Sequence, residues 1–488
     1  MSNGRAATDV QLQTQLFIGG EFVDAADGST FRVENPAEAS TLAEVAEAGE
    51  ADVDRAVKAA RAAFESKEWQ RLAARDRGLL LFRLADLIEA HIDELARIET
   101  LDNGKPFFES RQIDLPDVVR VFRYYAGWAD KIHGETIPVA GPVLNYTRRE
   151  PLGVVGAIVP WNFPLLLAMW KVAPALACGN TVVLKPSAET PLSALKLAEL
   201  VAEAGFPGGV FNVISGFGSK AGAALVRHPD VDKIAFTGST EVGQEIMREA
   251  ASTIKKVSLE LGGKSPNIVF ADADLEAAAR GVNMGIFYGK GEVCAAGSRL
   301  FVESKVHDEL MENVVARAKK MTPGDPFDKN TRLGAIVSER QMERVLGYVE
   351  RGVSEGAKLL TGGARVDRPG YFVEATVFDK VTSDMTIAQE EIFGPVLAAL
   401  TFDDVEEAIA LGNSTIYGLA AGVWTQDLKK AHKVAHGLRA GTVWVNTYNR
   451  YDAASPFGGY KQSGFGRDLG MHALEQYTQV KSIWIDLS

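Results

Sequence analysis

Cysteine is almost absent from this chain: two occur in 488 residues, Cys178 and Cys294. Two thiols cannot build a disulfide framework, and so low a count fits a reducing compartment. Histidine is scarce as well, seven in all and without metal-ligand spacing, so no metal site is expected. Basic residues are outnumbered, 52 Lys and Arg against 64 Asp and Glu, for a net charge of −12. That balance argues against a broad cationic face for nucleic acid or anionic lipid, but leaves room for a local basic pocket holding a small phosphate. Long apolar runs are missing too: the richest stretch, 163–177, is too short to span a bilayer and is broken by Lys171 and Pro174. The opening MSNGRAATDVQLQTQ has no apolar core of the secretory kind and too little Arg and Ser for a transit peptide. The expectation is a cytoplasmic protein with neither a nucleic-acid nor a membrane partner. The dinucleotide fingerprint GxGxxG is also lacking.

What is present is enough apolar sequence, 46% of the chain, to fill more than one core, so two or three domains are expected. From about Asp52, DVDRAVKAARAAFESKEW and RDRGLLLFRLADLIEAHIDELARIETLDNGK space apolar residues three and four apart, as amphipathic helices do. At Leu152 the rhythm changes to short β-branched runs, GVVGAIVP, NTVVLKP, GVFNVISG and VDKIAFTGS, separated by helical text. Strand alternating with helix implies a parallel sheet covered by helices. A second alternation runs from NIVFADAD to GTVWVN and predicts a second α/β domain. VLNYTRREP and YTQVKSIWIDL read as extended segments that need a partner sheet.

Cys294 lies in FYGKGEVCAAGSR, where Gly289, Gly291 and Gly297 suggest a loop whose backbone approaches a ligand closely. Read alone, it is more readily a small buried hydrophobe. Cys178, in APALACGNTVVL, reads as core packing. Glu260 closes a strand-like alternation before two glycines and is a candidate general base, although alone it reads as a solvated charge. Asn162 follows a buried strand at its carboxyl end, the edge where parallel sheets bind ligands, and its amide could face a developing oxyanion. Its local alternative is a turn residue before Pro164. FTGSTEVG places Gly238, Ser239 and Gly243 at a strand-to-helix junction whose free amides suit a pyrophosphate. Lys185 ends another strand, within reach of ribose hydroxyls or phosphate if it is not merely solvated.

PWNFP, KPS, FTGST, LELGGKSP, the loop around Cys294, QEEIFGPV and SPFGGYKQSG occur in an order that closely resembles the aldehyde dehydrogenase superfamily, from FIGGEFVDA to YTQVKS. The resemblance implies an α/β fold of two Rossmann-like parallel-sheet domains plus a small bridging sheet for oligomerisation. It divides the chain into a cofactor domain, 1–128 and 149–260, a catalytic domain, 261–460, and a bridging segment, 129–148 and 461–488. It implies oxidation of a small-molecule aldehyde to its acid with NAD, by a homodimer or homotetramer. Cys294 would be the nucleophile, Glu260 the base that activates water, and Asn162 with the Cys294 backbone N–H the oxyanion hole. Lys171 and Asp468 would relay protons. Lys185 and Glu391 would hold the nicotinamide-side and adenine-side riboses between them, with Phe393 near the nicotinamide riboside. Trp161, Gly218, Gly238, Ser239 and Leu261 would border the rest of the dinucleotide. Phe163, Leu167, Trp170, Tyr288, Tyr451 and Phe457 would line an aromatic substrate mouth, with Arg450 nearby for an anionic tail.

Three departures from the family pattern stand out. Glu292 replaces the usual amide two places before the nucleophile; an extended loop would put its charge on the Cys294 side and raise the thiol pKa. Glu292 is expected to turn away or to pair with Lys290, a second-base role being the weaker alternative. Ala188 stands where NAD-preferring members commonly carry a carboxylate, with Glu189 beside it, so tolerance of NADP is expected. Asp468 replaces the more frequent Glu, one methylene longer. Two rivals, a CoA-acylating enzyme and a catalytically retired binding protein, are opposed by the retention of Glu260 and of the Cys294, Glu260, Asn162 set; a thiol hydrolase would be a side activity.

Overall fold

The computed structural model describes residues 10–488, so the first residues of the opening segment, and with them the start of the 1–128 stretch, lie outside the described residues. The apolar runs after Leu152 form five strands, four of them buried on both faces, which leaves no place there for polar alternation. They are β1 (Val154–Ile158), β2 (Thr181–Lys185), β3 (Phe211–Val213), β4 (Lys233–Thr237) and β5 (Lys256–Glu260). They pair in parallel in the order β5-β4-β1-β2-β3. Strand order therefore reverses between β1 and β4, and a crevice opens at the carboxyl ends of these two strands. Short antiparallel strands extend both edges: Leu16–Ile18 and Glu21–Val23 beyond β3, and Gly464–Phe465 beyond β5.

Helix α1 (Pro164–Ala177) follows β1, with Pro164 supplying a preset φ at its start. Pro174 does not end it, and almost every side chain of α1, Lys171 included, is buried. Helix α2 (Thr240–Ala250) follows β4, and the Ser239 hydroxyl caps it by accepting from Val242 N at 3.3 Å. Among the described residues, no helix is long and apolar enough to cross a membrane.

The second sheet holds β6 (Pro266–Val269), β7 (Arg299–Glu303), β8 (Thr376–Asp379), β9 (Val396–Phe402), β10 (Ala420–Trp424) and β11 (Thr442–Val445), parallel in the order β8-β9-β7-β6-β10-β11. Residues 261–265 lead straight from the carboxyl end of β5 to the amino end of β6, so the carboxyl edge of the first sheet meets the amino edge of the second. The loop between α3 (Leu275–Phe287) and β7 lies at that amino edge and carries Cys294. One buried apolar cluster runs through both halves, from Phe17 and Val155 to Val269 and Trp444. The two extended segments find their partner in each other: Val143–Pro151 pairs antiparallel with Thr478–Asp486, and Thr136–Ile137 completes a three-stranded sheet.

Candidate active site

The nucleophile loop is a tight turn, with Gly289, Lys290 and Gly291 at φ of 56°, 65° and 72°. Two of its glycines serve close approach within the protein. A Cβ on Gly291 would meet the Gly394 oxygen at 2.2 Å, and one on Gly297 would meet the Tyr448 ring at 3.0 Å, so both make room for the protein itself. Turning the loop back on itself leaves Cys294 half-buried between two cavities of about 310 and 300 Å³, and among the described residues Cys294 alone lines both. Cys178, by contrast, is packed in the core, where burial pushes its thiol up to about 12.

The first cavity is apolar and takes in all six expected residues, Phe163, Leu167, Trp170, Tyr288, Tyr451 and Phe457. Trp170, Tyr451 and Phe457 pack edge-on or tilted with centroids 5.4–6.1 Å apart, and Phe163 stacks on Tyr288 at 5.9 Å. Arg450 stands at the rim, joined by Arg120, Asp117 and Asp452, which the sequence alone did not reveal. Behind the wall, the Tyr288 hydroxyl donates to Asp114 at 2.6 Å, and Asp114 binds the buried Lys105 ammonium at 2.6 Å. Lys105 in turn sits 4.3 Å from the centre of the Phe163 ring.

The second cavity lies at the reversal between β1 and β4 and is walled by Trp161, Asn162, Gly238, Ser239, Leu261, Glu391 and Phe393. Helix α2 presents its amino end here. Glu391 accepts from Gly263 N at 2.9 Å, and burial raises its carboxyl to about 7. Gln341 and Arg344, from the helix Glu339–Ser354, complete the wall; Gln341 donates to the Phe393 carbonyl at 2.8 Å, Arg344 to that of Glu391 at 2.9 Å. The Ser338 cap starting that helix was the available sequence signal. Lys185, Ala188 and Gly218 are not among these walls. Lys185 ends β2 opposite Ile158 of β1, is buried, and has its amine lowered to about 8 by that burial.

Glu260 is buried at the end of β5 rather than solvated, and it lines neither cavity. Burial first, then the Asp468 charge, hold its carboxyl well above the usual carboxylate range, against Lys171 and Arg467. Lys171 and Asp468 form an ion pair of 2.7 Å with both side chains closed off from water. Asn162 Nδ2 donates to the Glu292 carbonyl at 2.9 Å, joining loops 130 residues apart in sequence. The Glu292 carboxylate pairs with Lys290 Nζ at 2.7 Å and accepts from Val337 N at 3.1 Å. Burial, then Glu391, then Glu260 push the Cys294 thiol up to about 12.

A thiol between an apolar chamber and a helix-capped cleft, with a buried carboxyl and a side-chain amide close by, is equipped for covalent catalysis beside a dinucleotide. Comparison with known proteins agrees. The model of the aldehyde dehydrogenase family matches residues 22–483. An aldehyde dehydrogenase of Enchytraeus buchholzi is 55% identical over 474 residues, 97% of this chain and 95% of that protein. The mitochondrial aldehyde dehydrogenase of Homo sapiens is 53% identical over 473 residues, 96% of this chain and 92% of that protein. A solved NAD+ complex of aldehyde dehydrogenase from Bacillus cereus superposes with a TM-score of 0.97 at 53% identity, covering 100% of this chain and 99% of that one.

Proposed function

The chain belongs to the aldehyde dehydrogenase family, and on that premise we propose that Cys294 is the nucleophile, Glu260 the base and Asn162 the oxyanion donor of its reaction. The reaction itself is the oxidation of an aldehyde to its acid with NAD. The single observation that carries the residue assignment is the position of Cys294, which alone among the described residues borders both the apolar chamber and the cleft.

The cleft suits a dinucleotide. Free amides at the start of α2, the unsatisfied Thr237 hydroxyl, and Glu391 with only one oxygen committed to Gly263 offer partners for phosphate and ribose. Lys185, without an acceptor among the described residues, stands one strand over to hold a ribose, and the roles of Gly218 and Ala188 rest on the family resemblance. When bound, NAD supplies the hydride acceptor and a positively charged ring.

The protein does the rest. The Cys294 sulfur adds to the aldehyde carbon, and the alkoxide that forms is met by Asn162 and the Cys294 backbone N–H. One N–H of the Asn162 amide is spent on the Glu292 carbonyl, which leaves the second to stabilise the oxyanion. Loss of hydride leaves a thioester on Cys294. Glu260, whose carboxyl burial holds well above the usual carboxylate range, takes a proton from water, and the hydroxide attacks the thioester, freeing the acid and the thiolate. The Lys171–Asp468 pair beside Glu260 passes that proton on.

The substrate class we assign is the medium aliphatic or aromatic aldehyde, from the aromatic walls of a chamber of about 310 Å³. NADP is accepted beside NAD, because Ala188 presents no carboxylate and Glu189 is engaged by the Ser187 hydroxyl and by Arg340 at 3.3 Å. The segment boundaries given above, with 129–148 and 461–488 bridging a homodimer or homotetramer, are part of the same proposal; the exposed Val480 and Trp484 of the three-stranded sheet support it. So is a cytoplasmic location, supported by the scarcity of cysteine. The relatives favour neither a retired scaffold nor an acylating enzyme. The test is NADH absorbance against a panel of aldehydes, with Cys294→Ala as control: turnover in the parent alone supports the assignment, and silence on every aldehyde defeats it.

A further inference from the structure

Glu292, which departs from the family pattern at the nucleophile loop, forms part of a closed ring with Lys290. Lys290 Nζ is buried, donates to the Asn103 carbonyl at 2.7 Å and to Asn103 Oδ1 at 3.0 Å, and is ion-paired with Glu292 Oε2 at 2.7 Å. Asn103 Nδ2 donates to the Trp161 carbonyl at 2.7 Å. Trp161 is bonded to Asn162, and Asn162 Nδ2 returns to the Glu292 carbonyl at 2.9 Å. Lys290, Asn103 and Glu292 are each sealed from water, the last anchored further by Val337 N at 3.1 Å.

We propose that Lys290, Glu292 and Asn103 are positioning residues that hold the Asn162 amide at a fixed distance from Cys294, in effect tuning the oxyanion hole from behind. The inference rests on the reading of Asn162 as the oxyanion donor. Its physical basis is the route of each bond. Nothing in the covalent chain relates the end of β1 to the loop before β7, so their spacing is set by contacts between them. Two connections tie them: the Asn162 to Glu292 bond directly, and Lys290 through Asn103 to Trp161. A single link would leave the Asn162 amide free to rotate, while two links on adjacent residues fix both its place and its orientation. Lys290 accepts a left-handed backbone, φ 65°, to make this bridge. Its charge is met by the Glu292 carboxylate, so the ring is neutral as a whole and adds no net charge behind the thiol.

Replacing one ring member without the other leaves a buried charge alone and lets the two loops drift. A displacement of about 1 Å at a reacting centre is worth about 10²-fold in rate. For Lys290→Met, kcat should therefore fall about 10²-fold, while NAD affinity and the rate of Cys294 alkylation by iodoacetamide stay within about threefold. Alkylation proceeds by displacement and needs no oxyanion donor, so a loop that had merely lost its structure would slow both reactions. Lys290→Met with Glu292→Gln removes both charges but still lacks the bridge through Asn103, so kcat should stay within about threefold of that of Lys290→Met; full recovery would trace the loss to a stranded charge and overturn the inference.

Glu292→Gln is isosteric and serves if Lys290→Met does not fold; it should lower kcat about tenfold with alkylation unchanged. Unchanged kcat in a folded Lys290→Met, or in Glu292→Gln, overturns the inference, as does a parallel collapse of alkylation. Asn162→Ala separates the two levels. A loss of about 10²–10³-fold there, with both ring variants at full rate, sinks the positioning role alone. If Asn162→Ala retains full rate, it is the oxyanion assignment that fails.

Discussion

The Asp468 carboxylate holds the Lys171 ammonium at 2.7 Å, and Glu260 lies in the field of both. The two partners act on it in opposite directions, Asp468 raising its carboxyl and Lys171 lowering it. Asp468→Asn should shift the ascending limb of the pH–rate profile to lower pH, and Lys171→Met should shift it to higher pH. Each variant also breaks a buried pair, at about 3–5 kcal/mol of stability. The kcat profile of the folded variants, measured between about pH 6 and 10, checks the sign; shifts in the same direction for both would contradict it.

Glu260→Gln should separate the two halves of the reaction. The neutral amide cannot take a proton from water, so the thioester accumulates: one equivalent of NADH is released quickly, and steady turnover drops about 10²–10⁴-fold. Stopped-flow absorbance reads both phases. A variant that turns over at the parental rate would move the base to another residue.

Glu109 gives a prediction about stability. It is buried behind the nucleophile loop, and burial raises its carboxyl to about 8. Below the ordinary carboxylate range it is protonated in both folded and unfolded chains. As pH rises through about 8 the unfolded chain has already lost that proton, and the fold must surrender it as well, so stability declines. Glu109→Gln, which keeps the shape without the charge, should gain about 1–3 kcal/mol on the parent between about pH 6 and pH 9. Urea titrations at the two pH values measure it; a constant difference would rule it out.

Cofactor choice turns on Ala188. NADP should be used with kcat/KM within about 10²-fold of NAD, and Ala188→Glu should depress NADP by about tenfold or more through repulsion of the 2′-phosphate. Paired kinetics with the two cofactors decide. A preference for NAD of several hundredfold in the parent would refute the prediction.

How far these features were visible beforehand depends on what each needed. β1, β2 and β4 were legible because a strand buried on both faces writes itself as an unbroken apolar run, and Ser239 because a helix cap is a local signal. The Cys294, Asn162 and Glu260 set was recognisable through motif order, not through spacing, since topology brings them together where two sheet edges meet. Left-handed backbone at Lys290, a residue that ordinarily avoids it, carries no composition signal. Asn103 was invisible as a partner because its role depends on a bond to Lys290, 187 residues away. The glycines of the nucleophile loop implied close approach correctly, and at Gly291 the approaching group is Gly394 of the protein itself.

The central claim is that Cys294 carries the acyl group that Glu260 helps to release. The most direct measurement is mass spectrometry of Glu260→Gln enzyme quenched after mixing with NAD and an aromatic aldehyde. The account predicts a mass gain equal to the aldehyde less two hydrogens, confined to the peptide containing Cys294. NADH release with no adduct, or an adduct on Cys178, would contradict it.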